Sequence, residues 1–521
     1  MAPSIPRFGA ALVVASAVVL FARSANAHAF AERYDLPLPL WFYLVGAGTA
    51  VALSFLIVAL FVGGAHGVGP YPRLDLLRFR LGRAIASDTV VFAVRAFSVA
   101  LFALILAAGF FGNQDNAFDN IVPTMIWVIW WVGFAFVSAL VGDLWSLVNP
   151  WKSISIWLEA LIRRRDPAAA RSRGIVLPEA LGAWPAVVLF LVFAWAELVW
   201  PSRGNPSSIA ALIVVYSAIT WLGMYLFGRE EWLRRGEAFT AIYGLFARFA
   251  PLEGRLEGAG GSGAREWKLR PYAVGLLTDK AVPLSVMAFA LLILSTVTID
   301  GMIETPLWLG FTRRIFEDPN LRPIISALGD SQSVILSVGL VVLPVLFFGV
   351  YAIFVQLMSL AVAGRAGRGS AQPDSGSERV LVASIGLGER PSVLGLARLF
   401  IFSLVPIAIA YHLAHFLSVL LVFGQLIIPL ASDPFGLGWD LFGTTEYQVN
   451  IGIVGARFVW LSSVVAIVIG HVAGVYVAHV MAIRAFADRQ MATLSQYPML
   501  VLMVGYTMTS LWILSQPIVE G

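Results

Sequence analysis

The 521-residue chain contains no cysteine, which removes disulfides, iron–sulfur clusters, thiolate zinc sites and cysteine nucleophiles together. Charge is also scarce: only 13% of residues are Asp, Glu, Lys or Arg, against about a quarter in soluble domains. The 35 Lys+Arg and 31 Asp+Glu share the same loops and leave a net +4, so the one-sided basic surface needed for nucleic acid is missing. Gly-x-Ser-x-Gly does not occur, so no nucleophile elbow is encoded, and no repeat of solenoid period or inverted repeat is visible. What fills the chain instead is apolar sequence, 59% of residues, with a mean hydropathy of +0.83. That composition predicts an all-α, polytopic membrane helix bundle whose main partner is the lipid bilayer.

Residues 1–27 read as a secretory signal peptide: Arg7, an apolar run from Ala10 to Ala22, then Ala25-Asn26-Ala27 before His28. An uncleaved first helix is the alternative. Runs long enough to cross about 30 Å of hydrocarbon fall at about 40–63, 91–112, 121–142, 183–200, 208–228, 281–299, 333–363, 399–430, 451–483 and 498–516. Alternate loops hold 26 Lys/Arg on one side and five on the other, which predicts mature termini on the outer face of a bacterial inner membrane. The mature chain, 28–521, then forms a single transmembrane domain. It has an inside loop at about 229–280, with an Arg-rich amphipathic piece from Trp232 to Arg248, and a flexible inside linker at about 364–398.

Polar residues at membrane depth are few, and each needs a partner or a task. Arg95 with Asp143, and Glu197 with Arg457, read as two structural ion pairs near opposite faces. Four of the six histidines fall on two spans. His412 and His415 are three apart and His471 lies at the same depth, so these three are the expected ligands of a mid-membrane metal ion. A zinc-like ion suits an imidazole set; copper and haem stay open. His479 lies about 12 Å further along its helix and, with neighbouring Tyr476, is expected to line an access path or support the site. A second, outer site is offered by His28, Asp300, Glu304 and Asp433. No catalytic residue is assigned by these patterns.

The segment His28-Ala-Phe-Ala-Glu-Arg-Tyr34-Asp-Leu-Pro-Leu-Pro39-Leu-Trp41 resembles the start of bacterial multi-spanning membrane proteins labelled fenitrothion hydrolase. Gly142-Asp-Leu-Trp-Ser-Leu-Val-Asn-Pro-Trp151, Ile299 to Trp308, the two histidine helices and the Asp433-Pro-Phe-Gly loop are similar to that family too. The resemblance covers most of the chain after residue 27. It implies hydrolysis of an organophosphorus triester at its aryl ester bond; a small apolar substrate of that kind has a route through the lipid. A His-held ion would supply hydroxide and Lewis acid for that reaction. Two other functions stay open: a copper-type transporter or metal-handling protein, and a haem-bearing membrane electron carrier.

Overall fold

The computed structural model describes residues 34–61, 71–165, 174–255, 265–278, 280–366, 392–486, 489–516 and 519–520. Among the described residues are ten apolar helical spans, one for each run expected from the sequence. They include α1 (Leu40–Phe61), α2 (Asp88–Phe111), α3 (Ile121–Leu140), α5 (Trp184–Leu198), α6 (Pro206–Phe227), α9 (Leu284–Met302), α12 (Ser331–Ala366), α13 (Val405–Phe423), α14 (Ala456–Ala485) and α15 (Arg489–Ser515). Between them lie α4 (Pro150–Arg165), α7 (Arg229–Arg235), α8 (Ala238–Ala247), α10 (Pro306–Glu317) and α11 (Leu321–Leu328).

Helix starts follow local chemistry. Ser87 caps α2 and Asn205 caps α6 ahead of Pro206, each side-chain oxygen accepting an otherwise orphaned amide. Burial separates central from peripheral spans. The span of α9, and the longer Val393–Ser432 span that contains α13, are each 78% buried, whereas the spans of α1, α2 and α12 turn most of their surface outward. α13 lies along α14, α15 packs against α14, α12 and α1, and α9 bridges from α13 to α5 and α12.

Two features differ from a plain bundle. The middle of α3, Thr124–Gly133, is a π-helix, a rare winding often found at functional sites. The expected amphipathic piece at Trp232–Arg248 is in fact split: α7 is polar, and α8 is an apolar half-length helix buried against α3 and α5. Glu237, fully buried, makes that possible by accepting amides from Phe239 (2.9 Å) and Thr240 (2.8 Å) and a hydroxyl from Tyr216.

Strand is minimal. β2 (Leu74–Asp75), β3 (Leu252–Arg255) and β4 (Glu266–Leu269) make an antiparallel sheet in the order β2-β4-β3. β1 (Tyr34–Asp35) pairs in parallel with β5 (Val519–Glu520).

Candidate functional site

α9 and α5 run parallel, and each carries a carboxylate in its last turn: Asp300 on α9 and Glu197 on α5. α13 crosses beside α9 and brings His415 to Asp300. His415 Nε2–H donates to Asp300 Oδ2 at 2.8 Å, with the imidazole 1% and the carboxylate 16% exposed. Asp300, the Trp131 indole and the Arg203 guanidinium surround Glu197. Arg203 also closes the end of α5, donating to the carbonyls of Glu197 (2.7 Å) and Leu198 (3.0 Å). The π-wound turn of α3 supplies Trp131.

Hydroxyls extend this cluster toward α14 and α15. Tyr411 stacks on His415 with ring centroids 6.1 Å apart. A Cβ on Gly301 would stand 2.5 Å from the Tyr411 hydroxyl, so glycine is what admits that ring against α9. Tyr506 donates to Thr298 Oγ1 at 2.5 Å, and the Thr298 hydroxyl donates in turn to the Leu294 carbonyl at 2.7 Å. The His471 ring lies 5.9 Å from Tyr506. Its Nδ1–H donates to the Ile467 carbonyl at 2.8 Å, which leaves Nε2 as the basic nitrogen.

The three histidines expected to share one ion do not converge. Residues three apart on a helix diverge by about 60°. That is enough to turn His412 toward α3 and α8 while His415 faces α9. His412 is 1% exposed, lies within 4.7–6.3 Å of the rings of Trp131, Phe136, Phe246 and Phe416, and neither of its nitrogens has a partner among the described residues. Among the described residues no three His, Asp or Glu side chains are grouped to hold an ion. At the crossing of α13 and α14 the two helices lie close: a Cβ on Gly470 would meet Ala410 Cβ at 2.2 Å and the Pro406 carbonyl at 2.8 Å.

The expected pair of Glu197 with Arg457 is also replaced, since Glu197 faces Asp300 and Arg457 is exposed. Arg95 and Asp143 do share a neighbourhood, around Lys152. Of the expected outer site, Asp300 belongs to the histidine cluster. Asp433 is occupied by its own turn, accepting the amides of Leu437 (3.0 Å), Gly438 (2.6 Å) and Trp439 (3.1 Å). Glu304 lies in the turn before α10, and His28 falls outside the described residues. Tyr476 and His479 sit toward the other end of α14, bonded to Tyr71 and Gln496.

No known relative places this cluster. No family model matches the chain, and no curated protein or solved structure matches it either. The chain is an integral membrane helix bundle with a buried carboxylate–histidine–tyrosine cluster at one end. Trp131, Thr298, Tyr411 and Tyr506 belong to that cluster and were not singled out by sequence. Their signal was adjacency: Tyr411 precedes His412, and Thr298 lies two residues before Asp300.

Proposed function

We propose that the protein is a transport-type membrane protein in which Asp300, His415 and Glu197 take up and release a proton as part of the transport cycle. The observation that carries this reading is the 2.8 Å bond from His415 to Asp300 inside a membrane span, with a second carboxylate alongside. A charged side chain in hydrocarbon costs at least about 2.5–3.5 kcal/mol, so such groups persist where they face a bundle interior and exchange protons. Imidazole and carboxylate hand a proton over within one hydrogen bond, and the Tyr411 ring stacks on that imidazole.

Proteoliposomes holding a pH dye test this. A potential imposed on the wild type drives proton entry, and Asp300→Asn and His415→Gln reduce it at least tenfold. Flux in both variants equal to wild type overturns the reading.

A second reading is the triester hydrolysis implied by the resemblance. The same dyad favours it, because a carboxylate bonded to one ring nitrogen orients the imidazole as a general base toward water. Release of the aryl alcohol from an organophosphorus triester by purified protein, lost in His415→Gln, supports that reading over transport.

A further inference from the structure

A stripe along α15 links the cluster to a second pair of polar groups. Gln496, Met499, Met503 and Tyr506 follow one another at three- and four-residue steps, so they share one face. The stripe rises about 15 Å from Gln496 to Tyr506. Tyr506 faces His471 at its upper end. At its lower end His479 Nδ1–H donates to Gln496 Oε1 at 2.9 Å, while the Gln496 amide nitrogen, bonded to the Ala492 carbonyl at 2.6 Å, fixes that orientation. His479 and His471 therefore both direct the proton from Nδ1 into a bond and keep Nε2 as the basic nitrogen. One turn before His479, Tyr476 bonds the Tyr71 hydroxyl at 2.9 Å, and Arg484 lies in its neighbourhood.

Between the two stations, Phe55, Val475, Ala478, Gln496, Met499, Leu500 and Met503 leave a cavity of about 10 Å³. That is room for one water at most, and a resident water needs two to four polar partners. Gln496 is the only polar side chain in the lining. The gap, which neither histidine lines, is thus too small and too apolar to keep water between the stations.

From this arrangement we infer that His479, held by Gln496, is a second proton-binding site at the opposite end of the bundle, and that Met499, Met503 and Val475 form a dry gate between it and His471–Tyr506. Opening of the gate admits a file of waters, which accepts a proton from Nε2–H of one protonated histidine and delivers one to the neutral Nε2 of the other across about 12 Å, so no bond to carbon and no electron is involved. The inference rests on the proton-handling reading above and extends it across the membrane.

The test compares proton entry into proteoliposomes for the full-length wild type, Met503→Ser and Val475→Thr. The second variant is nearly isosteric and guards against a misfolded first one. Either hydroxyl gives the gap a polar partner, and the expected result is at least a tenfold rise in flux that His479→Ala abolishes. Flux that stays at the wild-type level in both gate variants, with the wild type sensitive to Asp300→Asn, overturns the gate and leaves the Asp300–His415 relay standing. A raised flux that persists in His479→Ala overturns the second site alone. No flux sensitive to Asp300→Asn in any of these proteins overturns the relay and the gate together.

Discussion

His412 and His415 occupy the same turn of α13 yet have opposite needs. Both nitrogens of His412 lie without hydrogen-bond partners among the described residues, inside four aromatic rings. A buried polar group of that kind costs about 1–3 kcal/mol, and an apolar residue of like volume removes the cost. His412→Leu is therefore expected to leave the thermal midpoint in detergent unchanged or raised; a fall of several degrees contradicts the absence of a polar role. His415→Leu strands the Asp300 carboxylate and is expected to lower the midpoint and abolish proton flux together. The sequence showed both histidines at mid-membrane depth, because depth follows from position within a span. It did not show that they diverge, because the partners that separate them, Asp300, Trp131 and Phe246, sit on three other elements.

Elements were legible wherever length and hydropathy decide them, and all ten spans fall where apolar runs predicted them. Elements set by packing were hidden. α8 is shorter than a span and follows the charged α7, so its burial depends on the Glu237 cap, which only the fold reveals. The π-wound segment of α3 has no signature in an apolar run yet turns Trp131 to the site. At the α13–α14 crossing the backbones nearly touch at Gly470, where an added methyl meets Ala410 Cβ at 2.2 Å. Gly470→Ala is expected to destabilise by about 1–3 kcal/mol through overpacking. A detergent unfolding curve reads this out, and an unshifted midpoint contradicts the close crossing.

Across the whole molecule, the two ends of the bundle differ in chemistry. One end holds Glu197, Asp300 and the His415 relay; the other gathers Arg95, Lys152, Arg229 and the small sheet. Burial pushes the Lys152 ammonium down to about 8, outweighing the pull of Glu230 and Asp143. A base whose folded pKa lies below its unfolded value of about 10.4 costs stability while protonated, and that cost fades as pH rises from about 8 to 10. The thermal midpoint is therefore expected to climb over that window, and Lys152→Met to flatten the climb; identical pH profiles for the two proteins contradict it. The central claim is that Asp300 and His415 exchange a proton within the bundle. Infrared difference spectra of membranes stepped through pH test this most directly. The account predicts a carboxyl band that changes with pH, disappears in Asp300→Asn and moves in His415→Gln. A spectrum with no band assignable to Asp300, or one that His415→Gln leaves in place, contradicts it.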